Sequence, residues 1–373
     1  DGGHWERFPS NLPVVPIHDV VVKGVELVVA THGRSFWILD DLTPLHQLQD
    51  AVAAGGSYLF RPRPTVRMRV YGRAPSEVAP GHVHYTKADT STVAYLPVHE
   101  PDGSLRFEQL EAGANPPQGV VIQYYVERAP RTGVSLTVLD DSGNELRRFT
   151  GEDGVPVEPG MNRFVWNMRL PGAPKVVGED LEPWHRPDGP LVLPGTYRVR
   201  LEIDGRAREQ AFAIEPDPRV RTSREDLAAQ FDFLGQVLGA LTTVNRTINR
   251  LDALLAQARS WQQRAAEHGA AAVGEAAGEL ERELLAIRPR LIDVNMRQSQ
   301  LWPSGLHEKL NALFDSVDSA DYAPPRQARE VYAALTGQLD ELTRRLDRAA
   351  GERAAALNAA IAAAGIPVVG LPA

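Results

Sequence analysis

Three short stretches of the 373-residue chain hold residue types that could do chemistry. Asp40-Asp41 follows Arg34 and Trp37, which sets paired carboxylates beside an aromatic ring and a cation. A glycosidase uses two carboxyls roughly 5–10 Å apart on opposite sides of a sugar bond. Adjacent residues of a strand, however, point to opposite faces. The plainer reading packs Trp37 between layers and makes Arg34 and the aspartates a hydrogen-bonded strand end. His82-Val83-His84 sets two imidazoles on one side of an extended segment, the start of a metal pair. Two ligands are too few for a structural zinc site, so two exposed loop histidines are expected instead. Trp184-His185-Arg186-Pro187 lies in an excursion of more than twenty residues between Trp166 and Leu193. Long loops inside compact domains are often functional. An aromatic ring beside a cation can stack on a sugar or dock intramolecularly onto the domain to which residues 14–39 belong, and docking is the favoured reading.

Motifs of the common catalytic machineries are absent. The sequence has no Gly-x-Ser-x-Gly, no Gly-rich phosphate loop, no His-Glu-x-x-His and no Gly-x-Gly-x-x-Gly. It contains no cysteine, which removes disulfides, thiolate metal sites and a cysteine nucleophile but does not fix the compartment. Lys and Arg number 40 against 48 Asp and Glu, a net charge of -8. That balance argues against nucleic acid, whose affinity comes from cations neutralising phosphates. No transmembrane span is expected either. The most apolar stretch, 354–373, is interrupted by Asn358, Gly365 and Pro367 and falls short of a continuous run of about 20 apolar residues. The opening Asp-Gly-Gly-His-Trp does not read as a signal peptide.

The elements that would position these groups follow from patterning. Residues 14–39 alternate in short β-rich runs punctuated by Gly24 and Gly33, which predicts a small antiparallel meander. Such a meander needs a covering layer, because a few strands alone cannot bury their faces. Residues 42–114 carry little periodic signal. Leu45, Leu48 and Val52 suggest a short helix, Tyr58 to Pro62 a strand, and 72–101 an irregular Pro- and Gly-rich loop. Strand signals return at Val120–Val126, Val134–Leu139, Glu145–Phe149, Asn162–Trp166, Gly195–Ile203 and Ala207–Ile214. Short strands at this spacing predict an immunoglobulin-like β-sandwich with Trp166 and Tyr197 in its core. Thr222 and Glu225 have capping-box spacing, and a long leucine stripe follows from Leu227 to Leu255. Further stripes at 280–287, 306–314 and 331–357 predict an up-and-down bundle of about four helices. The excess length of the first and fourth helices leaves room for homo-association through this region.

A resemblance joins these regions. Gly2-Gly3-His4-Trp5 resembles the end of an Asp box, the Ser-x-Asp-x-Gly-x-x-Trp hairpin of sialidase-like and sortilin-like β-propellers. Gly2 and Trp5 match, while the motif's Ser and Asp would lie before residue 1. Asn11-Leu12-Pro13, His18–Val22 and Glu26–Asp41, with the run Thr-His-Gly-Arg-Ser-Phe-Trp-Ile-Leu-Asp-Asp, resemble the final blade of that family. Asp-x-x-Gly, Gly-x-Asn-x-Phe-x-Trp and Pro-Gly-Thr-Tyr-x-Val-x-Leu resemble Ig-like modules appended to bacterial secreted enzymes and the flagellar hook-capping protein. Pro303-x-x-Leu306-His307, Ser319-Ala320-Asp321 and Leu357-Asn358 to Pro367 resemble the family's tail.

The resemblance is therefore to the C-terminal part of a bacterial sortilin-like BNR/Asp-box protein of glycosyl-hydrolase-like type. It implies a multi-domain β plus α chain: a last propeller blade (1–47, truncated), an irregular connector (48–114), an Ig-like β-sandwich (115–217) and a helical bundle (218–373). It also implies a secreted or periplasmic setting, with the remaining propeller blades as partners. The expected function is that of a non-catalytic accessory and interaction region. The alternative is the C-terminal part of a glycoside hydrolase whose carboxylates lie in other blades. Arg34, Trp37, Trp184 and His185 are the candidates for contact with a carbohydrate or protein ligand. No catalytic residue, metal ligand or cofactor is assigned.

Overall fold

A computed structural model describes Gly3, Trp5 and residues 11–69, 116–178, 188–293 and 304–367, together with the strand pairing of 84–88, 91–99 and 105–109. In chain order, β1 (Ile17–Lys23), β2 (Glu26–Thr31) and β3 (Phe36–Leu39) precede the short helices α1 (Thr43–His46) and α2 (Leu48–Ala54). Strands β4 (Tyr58–Leu59), β5 (Thr65–Arg67), β6 (His84–Ala88), β7 (Ser91–His99) and β8 (Leu105–Gln109) follow. Next come β9 (Val120–Val126), β10 (Val134–Leu139), β11 (Glu145–Phe149) and β12 (Gly160–Trp166). Then come β13 (Arg169–Pro171), β14 (Asp188–Leu191), β15 (Gly195–Ile203) and β16 (Arg206–Pro216). Helices α3 (Arg224–Glu267), α4 (Ala271–Leu291), α5 (Leu306–Asp318), α6 (Arg326–Arg348) and α7 (Ala354–Ala364) complete the order, a π-helical turn at Ala349–Arg353 linking the last two. The chain is thus a mixed β and α protein with several small sheets and a C-terminal helical region. It divides into two compact units, Asp1–Met168 with Pro194–Asp217, and Arg169–Leu193 with Pro218–Ala373.

In the first unit, β1, β2 and β3 form an antiparallel meander, with Gly24 at φ +62 in its first turn. Two further sheets share one apolar layer, one ordered β11-β10-β15-β16-β5 and the other β12-β9-β4. Their inward residues keep the period of two that a half-buried strand requires. On β9 these are Val120, Ile122, Tyr124 and Val126, and on β15 they are Tyr197, Val199, Leu201 and Ile203. Trp166 of β12 is fully buried and meets Tyr197 and Phe212 of the other sheet edge-on, at 6.2 and 6.4 Å between ring centroids. Gly119 makes the approach of β9 to β12 feasible. It sits at φ +134, and a Cβ there would lie 2.2 Å from the carbonyl oxygen of Trp166.

Within 48–114, α2 and β4 fall where the short helix and the strand were expected, whereas the loop expected over 72–101 includes β6 and β7, which pair with β8 in an antiparallel sheet. The strand signal was diluted by Pro97 inside β7 and by the surrounding Gly, Ser and Thr, which single-sequence patterning scores as loop.

The second unit is built on α3, whose 44 residues run about 65 Å at 1.5 Å per residue. Its N-cap is Ser223, which accepts from the Asp226 N–H at 3.0 Å. Thr222 has the same cap chemistry but donates its hydroxyl to Asp321 O at 2.6 Å, so the cap lies one residue later than the spacing suggested. α4 runs antiparallel to α3: Arg288 pairs with Asp252 at 2.7 Å and Arg259 with Glu281 at 2.8 Å. α5 continues in the same direction, with His307 opposite Asn245 and Gln230 reaching Val317 O. α6 returns parallel to α3, with Tyr332 near Gln236 and Arg250 paired with Asp347. The four helical runs expected from the stripes thus form three legs, because α4 and α5 are successive pieces of one.

The stripes meet in one core containing Val244, Ile248, Leu284, Ile287, Phe314, Leu342 and Leu346. By length and composition α3 could cross a membrane, but its apolar stripe is spent in this core, which makes it a poor span candidate. Of the large apolar side chains on α3 to α7, Leu285 and Val331 are left exposed.

Candidate functional site

The Arg34–Asp41 stretch resolves into structural contacts. Trp37 is half-buried and donates its indole N–H to the Arg34 carbonyl at 2.9 Å, which closes the turn before β3. The Arg34 side chain is exposed. Asp41 Oδ1 accepts from the N–H and hydroxyl of Thr43, at 2.9 and 2.7 Å, and so starts α1. Its other oxygen accepts from Gln123 of β9 at 2.9 Å. Both carboxylate oxygens are engaged, in three hydrogen bonds, and the Asp40 carbonyl accepts from Arg63. A carboxylate whose two oxygens hold two segments together is a poor general acid. The aspartates tie the meander to the sheets behind it.

His82, Trp184 and His185 lie outside the described residues, and His84 is described only as a member of β6. Among the described residues no group of three His, Asp or Glu is placed to hold a metal ion. The flanks of the Trp184 excursion are described. Residues 169–193 belong with the helices, not with the strands that flank them in sequence. Ala173 and Val176 enter the helical core. Asn245 donates to Pro174 O at 2.7 Å; one turn later, Asn249 donates to Lys175 O at 3.0 Å and accepts from Val177 N at 2.8 Å. Arg169 pairs with the buried Asp318 at 2.8 Å. The described flank ahead of Trp184 packs on α3, where two asparagines on one face grip its backbone.

A polar layer lies beneath this strap. His307 is buried, with Nδ1 2.8 Å from Asn245 Oδ1 and Nε2 3.2 Å from Asn311 Nδ2. Both amides are oriented by carbonyl partners: Asn245 by Pro174 O and Asn311 by His307 O. The pairings require a neutral imidazole with its proton on Nδ1. Next to it, Glu308 is buried at the junction of α4 and α5. One carboxylate oxygen accepts from Asp293 N at 3.3 Å and the other has no partner. Burial pushes its pKa up. Gly305 closes the junction, since a Cβ there would lie 2.7 Å from the Ile292 nitrogen.

The first unit also carries a cleft of about 610 Å3 that the sequence reading missed. Arg128 and Arg131 reach it from the loop before β10, Arg206 and Arg208 from β16, and Gly55-Gly56 from the end of α2. Antiparallel pairing brings the two arginine pairs together, because Val134 faces Ile203. Asp204, at φ +47 in the β15–β16 turn, locks the loop by accepting from Arg131 N at 2.7 Å and Thr132 N at 2.9 Å. These bonds hold its carboxyl below the ordinary range. The arginine pairs are separated by more than seventy residues, so only the pairing pattern could have revealed the cluster.

No protein-family model and no curated protein matches the chain. Among solved structures, the chain is similar to one named pT26-6p, at 14% identity, 68% coverage of this chain and a TM-score of 0.15. The match covers 48% of that chain, so it spans about half its length. A likeness at that score carries no argument about fold or function.

Proposed function

We propose that this chain is a non-catalytic accessory and interaction region of a secreted or periplasmic sortilin-like BNR/Asp-box protein. In this reading β1, β2 and β3 belong to the last blade of a β-propeller. The two facing sheets form an Ig-like module, and the helical unit is an up-and-down bundle appended to it.

The observation that carries the reading is the surface of the meander. Val20, Val21, Val22, Phe36 and Ile38 are 49–73% exposed. Val20 and Val21 are adjacent on one strand and therefore point to opposite faces, so both faces of the sheet carry exposed apolar side chains. Propeller blades pack on both faces, with blades on either side. An isolated three-stranded sheet with such faces is marginal in water.

The test compares the chain alone with the chain joined to the propeller-coding sequence of its own gene. Amide exchange in 17–39 is expected to be fast in the chain alone and to slow toward the level of β9 and β15 when blades are supplied. Protection equal to that of β9 in the isolated chain would overturn the proposal. Glycoside hydrolysis by a larger parent is the second reading. The commitment of Asp41 to Thr43 and Gln123 favours carboxylates lying elsewhere in that parent. Hydrolysis of any member of a glycan panel by this chain alone would refute the non-catalytic assignment.

A further inference from the structure

The arginine-rimmed cleft has no part in the blade reading, and its composition departs from that of the whole chain. A protein of net charge -8 gathers four guanidinium groups around one concave surface. Two carboxylates, Glu127 and Asp204, lie among them. Asp204 is occupied by the two backbone N–H groups and by the Thr132 hydroxyl at 3.1 Å. Arg208 lies over the Tyr58 ring at 5.8 Å, which fixes its stem along the wall. Arg128 and Arg206 are exposed and hold no carboxylate among the described residues. The floor is apolar, from Leu201 and Ile203, and the Gly55-Gly56 wall has no side chain to obstruct entry. Ser57 and Thr132 add hydroxyl groups to the lining.

We propose that this cleft binds an acidic oligosaccharide, one carrying carboxylate or sulfate groups. Guanidinium groups pair with planar or tetrahedral oxyanions through two parallel N–H donors. A volume of about 610 Å3 falls in the range of small-ligand sites. No aromatic ring is among the lining residues, so a nucleobase would find no stacking platform there. Ser57 Oγ accepts from Glu127 N and keeps its O–H donor, and the Thr132 hydroxyl donates to Asp204 and keeps its acceptor lone pairs, so both can still meet ligand hydroxyl groups. The loop is already locked by Asp204, so binding does not have to order it.

The experiment is calorimetric titration of the full chain, at low and at physiological salt, with three probes: a heparin-derived tetrasaccharide, tetragalacturonate and inorganic sulfate. At least one tetrasaccharide is expected to bind with one-to-one stoichiometry and to outcompete sulfate, and the preference between the two shows whether sulfate or carboxylate is read. The double variant R128A/R206A, whose side chains are exposed, should weaken binding by about tenfold or more. R163A removes an exposed arginine of β12 outside the cleft and should leave affinity unchanged. Circular dichroism of both variants should match the parent. Absence of binding to both tetrasaccharides at low salt would overturn the proposal, and so would equal losses in R163A and R128A/R206A, which would mark diffuse attraction.

Discussion

Single residues carry unequal shares of this fold. Trp166 is fully enclosed between the two facing sheets, with Tyr197 and Phe212 on its ring. Trp166→Ala should cost roughly 3–5 kcal/mol in chemical denaturation, the range for emptying a large aromatic site. A loss below about 1 kcal/mol would mean the site collapses without penalty. Glu308 acts in the opposite direction, because it opposes folding at neutral pH. Its carboxyl is raised by burial, so as pH rises above the ordinary value of 4.5 the unfolded chain gives up its proton first. Stability therefore declines with rising pH through that window. Glu281 and Glu283 have the reverse sign. Hydrogen bonds from Arg259 and Arg345 lower them, so the stability they add is present at neutral pH and lost in acid. Glu308→Gln isolates the first effect, since a neutral amide leaves the same buried site at every pH. The variant should gain on the parent between pH 4 and pH 7 in urea unfolding followed by helical circular dichroism. A gap that does not widen with pH would show that the carboxyl never holds its proton.

Elements are held here by side chains that grip backbone rather than by stripes alone. The strap ahead of Trp184 is fixed by Asn245 and Asn249, one turn apart on α3. Asn245→Ala removes a donor from the part-buried Pro174 O and an acceptor from the buried His307 ring. Taking a partner from a buried polar group costs roughly 1–3 kcal/mol, so a clear drop in stability is expected. Asn249 is half-buried but its hydrogen bonds lie at the exposed surface, where its partners can turn to water, so Asn249→Ala should cost less. Equal, small losses in the two variants would show that the strap is held by Ala173 and Val176 alone. The meander is the contrasting element: its strands pair well, yet β1 is exposed along its whole length and Val29 is the one residue of β1 to β3 that is buried.

At the scale of the molecule, the chain crosses between its two units more than once. Residues 169–193 leave the strands, join the helices and return. A fragment cut at Pro218 would lose Ala173 and Val176 from the helical core and strip the partners from Asn245. Fragment 169–373 is therefore expected to melt at a higher temperature than fragment 218–373. Identical melting temperatures would mean that the strap rides on the helices without supporting them.

Much of this arrangement is local and was legible in the sequence. Strand β10 follows from its alternating sequence, although all six of its residues are buried, and β9 and β11 follow from short β-rich runs bounded by turn residues. The helices follow from the leucine stripes, and Trp166 from its place on an inward-facing run. What the tertiary structure decided is which distant segments meet. Nothing in the local pattern of 169–178 says that two asparagines seventy residues later will take its carbonyl groups. Nothing around Arg128 announces Arg206, because their meeting depends on the register of β10 against β15. Periodicity reports how a segment repeats along its own axis, whereas a site is made by the register between segments. Register is set by the summed packing of whole faces, a property of no single stretch of chain.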